Sequence, residues 1–173
     1  RDYINNINRE HNRSFMKFKS FLFVSSILLV FFILLPYAAV TLNDMVSLPN
    51  YSNPRMRFFG IFFFILGIAN FFYCTSLFSK FGNGTPIPTE PTKKFFAEGS
   101  YKYVRNPIYL GHLSVFLSYF LFFGHILLLF YLLILVIILH FYVVFEEESK
   151  LKKRFGREYI RYMKKVPRWL PKF

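Results

Sequence analysis

Long uncharged stretches alternate with short polar segments along the chain. Four such stretches cover residues 21–40, 58–78, 107–123 and 126–145. Each is close to the length of about 20 residues that a helix needs to cross the hydrocarbon core of a bilayer. The pattern predicts an all-α integral membrane protein with four spans in one domain, residues 1–173. Only Gly124 and His125 separate the last two spans, which predicts a tight antiparallel hairpin.

Individual residues add detail to the prediction of these four helices. Pro36 lies inside the first span and is expected to kink or end that helix locally. Pro107 suits the first turn of the third helix, where a missing N–H costs nothing. Asn70 is the one strongly polar side chain of the second span, and we expect it to bond across helices rather than to orient a ligand. Because the sequence begins with Arg1, we expect residues to precede it, and the first stretch is long enough to span rather than be a cleaved signal.

Composition excludes several classes of protein. The chain is 54% hydrophobic with 26 Phe, yet it carries a formal net charge of +13. A nucleic-acid binder would explain the charge but not the apolar stretches, so no nucleic-acid partner is expected. Four spans take up about 80 positions, which leaves no room for a Rossmann domain. Cys74 is the only cysteine, so neither a disulfide framework nor a cysteine metal site is expected.

The distribution of basic residues predicts the orientation. Five lie before the first span, five between the second and third, and ten after the fourth, whereas the loop between the first two spans has only Arg55 and Arg57. Basic loops stay on the cytosolic side of a membrane. Both termini and the loop of residues 82–106 are therefore expected in the cytosol.

The segment of residues 146–173 has the pattern of an interfacial helix with basic residues between apolar ones. The apolar positions at three- and four-residue spacing are Leu151, Phe155, Tyr159, Tyr162, Met163 and Val166. Gly156 is expected to interrupt this helix, and Trp169, between two prolines, to anchor it among the lipid headgroups. Two interpretations of this segment stay open: a positive stop signal that holds anionic lipid, and a role in closing an active site.

Polar residues cluster in the 82–106 loop and at the end of the fourth span, where Glu146, Glu147 and Glu148 are consecutive. A hairpin of the last two spans would place Arg105, Asn106 and Tyr109 beside the last two of these glutamates. Adjacent carboxylates at a membrane boundary repel one another. They are either solvated or paired with basic residues, or they bind a ligand that is cationic or rich in hydroxyl groups.

Two histidines inside the spans are candidate site residues. His140 lies seven residues before Glu147, which puts both on one face of a helix. His112 lies three residues after Tyr109. Polar side chains in a span usually face the interior of the bundle and are site candidates. The alternative is a buried histidine satisfied by a carbonyl or a tyrosine hydroxyl.

Three segments resemble a known family. They are GTPIP from Gly84, GSYKYVRNPIYLG from Gly99, and the stretch from His140 through the acidic residues to Pro171. In this order they resemble the isoprenylcysteine carboxyl methyltransferase and phospholipid methyltransferase family of integral membrane enzymes. Asn106 stands where the eukaryotic carboxyl methyltransferases tend to have His, so the chain is similar to bacterial-type members.

The resemblance implies a cofactor site for S-adenosylmethionine (SAM) at the cytosolic face. The implied cofactor-binding residues are Gly99, Tyr101, Arg105, Asn106, Pro107, Tyr109, Gly111, Glu147 and Glu148. Carboxylates suit the ribose diol or the ammonium group of SAM, and an arginine suits its carboxylate. The implied catalytic residues are His140, Arg105 and Glu147, of which His140 or a glutamate would take a proton from an amine acceptor.

The resemblance also implies a lipophilic methyl acceptor, either an isoprenylcysteine-type carboxylate or a phospholipid-type amine, entering from the bilayer. The membrane would be the bacterial inner membrane, or the endoplasmic reticulum of a eukaryote. Two other functions stay open. One is an NADPH-dependent membrane reductase of the sterol-reductase type, and the other is a non-catalytic protein that binds anionic lipid.

Overall fold

The structure is a computed structural model that describes residue 22, residues 24–85 and residues 92–171. It divides into two compact units, Arg1–Ala38 and Ala39–Phe173. Several predicted features lie outside the described residues: Phe21 of the first span, the five basic residues before that span, Pro86–Pro88 of the loop, and Lys172.

Helix α1 covers Val24–Met45, and the first unit ends within it at Ala38. Pro36 does not end this helix, so the predicted end at residue 40 is five residues too early. The turn Val30–Leu34, which ends two residues before the proline, is π-helical. The wider π turn accommodates the missing N–H of proline, and such turns are a common cause of a kink.

Helix α2 covers Pro54–Leu77 and continues through a π turn, Phe78–Gly82. Its start is four residues earlier than predicted from the apolar pattern. Asn53 caps the helix by accepting a 3.0 Å hydrogen bond from the Met56 N–H, and Pro54 occupies the first turn. The two basic residues of this first turn, Arg55 and Arg57, therefore belong to the helix and not to the loop.

The predicted hairpin is confirmed. Helix α3 covers Pro107–Phe123 and helix α4 covers Ile126–Tyr142. Gly124 ends α3 in the left-handed conformation with φ of 75°, a backbone geometry that favours glycine. Backbone hydrogen bonds from Tyr51 to Gly124 and from Ile126 to Pro49 tie the loop after α1 to this turn.

The helix of the fourth span continues into the tail without a break between them. Helix α4 passes through a π turn, Val143–Glu147, into helix α5, Glu148–Lys165. The result is one helical stretch of 40 residues, Ile126–Lys165. Gly156 interrupts α5 with φ of 53° and ψ of −127°, which confirms the prediction for this residue.

The described residues form helices and turns and contain no strand, which confirms the all-α membrane class. Three helical stretches are long and apolar enough to cross a membrane: Val24–Met45, Pro54–Gly82 and Ile126–Lys165. The apolar helix α3 is shorter, with 17 residues.

Small residues bring α2 and α3 into close contact. A Cβ at Gly67 would lie 2.6 Å from the Gly111 carbonyl oxygen and 2.8 Å from Val115 Cγ2. A Cβ at Gly111 would lie 2.6 Å from Asn70 Nδ2. Asn70 in turn donates a 2.7 Å hydrogen bond to the Pro107 carbonyl, which confirms that it bonds across helices. This contact fixes the start of α3 against α2.

We expect Gly67→Ala to destabilise the protein. Overpacking costs about 1–3 kcal/mol, and it should outweigh a gain of up to about 1 kcal/mol in helix propensity, because the obstructing atom is backbone of α3. Unfolding in a denaturing detergent titration measures the difference. Ala69→Leu on the exposed side of the same helix is the matched control, and equal stability of the two variants would contradict the prediction.

Candidate active site at the start of helix α3

Two predicted partners meet at the start of α3. The Tyr109 hydroxyl donates a 2.7 Å hydrogen bond to Glu147 Oε2. Glu147 lies in the π turn between α4 and α5, beyond the last apolar residues of the span. The contact confirms that the hairpin brings the start of α3 to the end of α4. It leaves Glu147 Oε1 with no hydrogen bond to any described residue.

Glu148 is the most buried of the three glutamates, with 3% of its surface exposed. Arg105 Nη1 lies 2.9 Å from its Oε1. Arg168 holds both oxygens, with Nε 2.7 Å from Oε1 and Nη2 3.2 Å from Oε2. The hydrogen bonds to this carboxylate raise the pKa of Arg168, so its guanidinium stays charged. The carboxylate of Glu148 therefore pairs with the guanidinium groups of both Arg105 and Arg168.

Glu146 has a different environment from its neighbours. It is exposed and forms an ion pair of 2.9 Å with Lys150, four residues later on the helix. The three consecutive carboxylates are thus separated by their surroundings into a solvated one, one bonded to a tyrosine, and one buried between arginines. Only Glu147 and Glu148 face the start of α3.

Residues 166–170, which we call the C-terminal strap, cross the start of α3. The Arg105 N–H donates a 2.9 Å hydrogen bond to the Pro167 carbonyl. Asn106 Nδ2 donates one of 3.2 Å to the Arg168 carbonyl. Asn106, only 7% exposed, does not cap α3 with its side chain. It holds the strap instead.

Three buried donor atoms near these glutamates have no hydrogen-bond partner among the described residues. They are the Tyr101 hydroxyl and the Nε and Nη1 atoms of Arg105. Arg105 Nη1 is within ion-pair distance of Glu148 but outside hydrogen-bond geometry. Burial is the main cause that raises the pKa of Tyr101, so its hydroxyl stays protonated and is a donor. Buried polar groups are normally satisfied, and an orphan is often explained by a ligand or a water molecule.

The predicted glycines have packing roles in this structure. Gly99 has φ of 58°, and a Cβ there would lie 2.5 Å from the Tyr73 hydroxyl and 2.7 Å from Leu77 Cδ1. Gly111 packs against α2, as described above. Pro107 forms the first turn of α3, as predicted. None of these three supplies a side-chain donor or acceptor to the site.

His140 lies on α4, seven residues before Glu147. Its Nδ1 is 3.1 Å from Nε1 of Trp169 in the strap. Both residues line a cavity of about 540 Å³ between α3 and α4. Its other lining residues are Leu110, Leu113, Val136, Ile137 and Phe141. The π turn between His140 and Glu147 breaks the seven-residue spacing that predicted one shared face, and no hydrogen bond joins these two residues.

The structure also gives the surroundings of the second histidine and of the tail tryptophan. His112 lies against the rings of Phe71 and Tyr109, with centroids 5.5 Å and 6.2 Å away. It therefore packs between α2 and α3. Trp169 donates its indole N–H to His140, and its anchoring among headgroups stays a prediction. Sequence reasoning also missed Arg168, although the P-R-W-L-P segment marks an irregular strap rather than a helix.

The sequence is similar to a known protein family. A family model described as phospholipid methyltransferase matches residues 55–158, more than half of the chain. The matched region runs from the first turn of α2 into α5 and contains Arg105, Tyr109, Glu147 and Glu148. No curated protein matches the sequence.

Proposed function

This chain belongs to the phospholipid methyltransferase family, and we propose that it transfers a methyl group from SAM to a lipophilic acceptor at the cytosolic membrane face. The observation that carries the proposal is the cluster at the start of α3. There Arg105 pairs with the buried Glu148, and Tyr109 bonds to one oxygen of Glu147. Arg168, which also pairs with Glu148, is followed in the chain by Trp169, which lines an apolar cavity.

The donors and acceptors of this cluster fit SAM. Arg105 Nε and the Tyr101 hydroxyl are buried donors without partners among the described residues, and they suit the carboxylate of the cofactor. Glu147 has one carboxylate oxygen that accepts no hydrogen bond from the described part of the chain, and this oxygen suits the ribose diol or the ammonium group. Glu148 would act indirectly by holding Arg105 in place. Asn106 would position the strap over the same cluster.

The chemistry needs alignment more than acid–base catalysis. When bound, SAM supplies a methyl group on a sulfonium: a lone pair of the acceptor forms the new bond to carbon as the C–S bond breaks, and the electron pair leaves with a neutral thioether. The residues of this chain orient the reactants and exclude water, which is worth about 7–11 kcal/mol in favourable cases. An amine acceptor must also lose a proton, whereas a carboxylate acceptor has none to lose.

The apolar cavity between α3 and α4 is the proposed position of the acceptor chain. The side chains that line it are apolar except for the ring nitrogens of His140 and Trp169. Apolar surface of this kind suits the hydrocarbon part of a lipid that enters from the bilayer. Both termini and the 82–106 loop would lie in the cytosol, as the basic residues indicate, in a bacterial inner membrane or in the endoplasmic reticulum.

Calorimetric titration of SAM into the detergent-purified protein tests the proposal. We expect binding in the micromolar range, weakened by Glu147→Gln at least about tenfold, because hydrogen bonds to a charged group contribute about 1.5–3 kcal/mol. Glu146→Gln removes an exposed carboxylate one residue away and is the matched control. Absence of SAM binding by a folded sample, with binding of NADPH instead, would favour the reductase. Binding of neither, together with binding of anionic lipid, would favour the non-catalytic protein.

A further inference from the structure

The hydrogen bond between the strap and α4 determines whether Nδ1 of His140 carries a proton. The indole Nε1 of Trp169 can only donate, and it lies 3.1 Å from His140 Nδ1. Nδ1 must therefore accept and carry no proton. A neutral imidazole with an unprotonated Nδ1 has its hydrogen on Nε2. Trp169 thus selects one of the two tautomers of His140.

The remaining nitrogen is a donor without a protein partner. Nε2 of His140 makes no hydrogen bond to any described residue. The side chain is half-buried and lines the 540 Å³ cavity, whose other walls are Leu110, Leu113, Val136, Ile137 and Phe141. A polar N–H in an apolar wall is costly unless something accepts its hydrogen bond. None of the described side chains that line the cavity has an acceptor for this N–H, and a ligand that fills the cavity can supply one.

We propose that Trp169 is a positioning residue that fixes His140 as a hydrogen-bond donor to the polar group of a lipophilic ligand in this cavity. The recognised chemistry is a carbonyl, ester or carboxylate oxygen attached to an apolar chain. His140 donates a hydrogen bond in this arrangement and takes no proton. The identification of the ligand as the methyl acceptor rests on the proposed function; the tautomer and the donor role do not.

The position of Trp169 depends on the ion-pair cluster. Arg168, its neighbour in the strap, holds both oxygens of Glu148 with its guanidinium and accepts from Asn106 with its carbonyl. The strap is therefore fixed at the start of α3, one residue before the indole. Two neighbouring residues of the strap thus make the two contacts: Arg168 pairs with Glu148, and Trp169 bonds to His140.

Nitrogen NMR of histidine-labelled protein tests the tautomer. In nanodiscs we expect His140, identified by its absence in His140→Gln, to be wholly in the Nε2–H form. Trp169→Phe keeps an aromatic ring but removes the donor, and a measurable Nδ1–H fraction should then appear. Phe141→Leu alters another ring beside His140 without removing a hydrogen bond, and should leave the tautomer unchanged. A Nδ1–H form in the unmodified protein would overturn the proposal.

The second arm tests the ligand with two uncharged probes of similar chain length. Methyl dodecanoate carries an oxygen acceptor and dodecane does not. In nanodiscs of ether-linked lipid, which lack ester carbonyls, we expect only methyl dodecanoate to shift the His140 Nε2–H signal. Trp169→Phe should weaken its binding about fivefold, the effect of one hydrogen bond.

A third sample shows whether the oxygen acceptor comes from a membrane lipid. If nanodiscs of ester-linked lipid give the same shift without a probe, the donor role is supported and the natural ligand is a membrane lipid. If methyl dodecanoate shifts no His140 signal in ether-linked nanodiscs, the donor role is refuted. Neither readout requires SAM or methyl transfer, so failure here is distinguishable from failure of the proposed function.

Discussion

Glu148→Gln is expected to be the most destabilising conservative change at the site, lowering the free energy of unfolding by about 3–5 kcal/mol. The carboxylate is 3% exposed and is shared by Arg105 and Arg168. Glutamine keeps the size of the side chain but removes the charge. Two guanidinium groups are then left beside each other, and that of Arg105 is itself buried.

The neighbouring glutamate supplies the control for this prediction. Glu146→Gln removes the same group from an exposed position, where ion pairs contribute little to stability. Titration with a denaturing detergent, followed through the fluorescence of Trp169, the only tryptophan, measures both variants. Equal stability of the two variants would show that the buried ion pairs do not hold the strap.

The sequence predicted helix α3 and the hairpin well because their boundaries are local. Pro107 and Gly124 each have a backbone geometry that begins or ends a helix, so the predicted bounds are those of the structure. The start of α2 was predicted less well, because Arg55 and Arg57 have the composition of a loop. Capping by Asn53 overrides that composition.

The sequence predicted which residues lie near one another at the candidate site, but not which of them form hydrogen bonds or ion pairs. The hairpin alone brings Tyr109 to Glu147. The pairing of Glu148 with Arg168 and of Trp169 with His140 joins residues 20 and 29 positions apart across a change of chain direction. No local pattern shows such contacts. The π turn of residues 143–147 has no sequence signal either, and it invalidates a prediction based on regular helical spacing.

Arg105→Gln is expected to weaken SAM binding by about 30-fold or more. Truncating one partner of a buried charge pair costs about 2 kcal/mol or more in affinity. The proposed reason is that Arg105, with 9% of its side chain exposed, combines an ion pair with Glu148 and an Nε donor that is unpartnered among the described residues. This donor is available to the carboxylate of the cofactor. Calorimetry measures the change, and the unfolding midpoint shows whether the variant is folded.

Arg168→Gln separates this binding role from support of the fold, because Arg168 pairs with the same carboxylate from the other side. Its backbone carbonyl, and not its side chain, accepts the bond from Asn106, so the strap keeps that contact in the variant. We expect SAM affinity within about threefold of the unmodified protein, less than one charged hydrogen bond. If both variants lose affinity equally, Arg105 acts only through Glu148, and the cofactor carboxylate must be held elsewhere. If only Arg105→Gln does, the free Nε of Arg105 binds it.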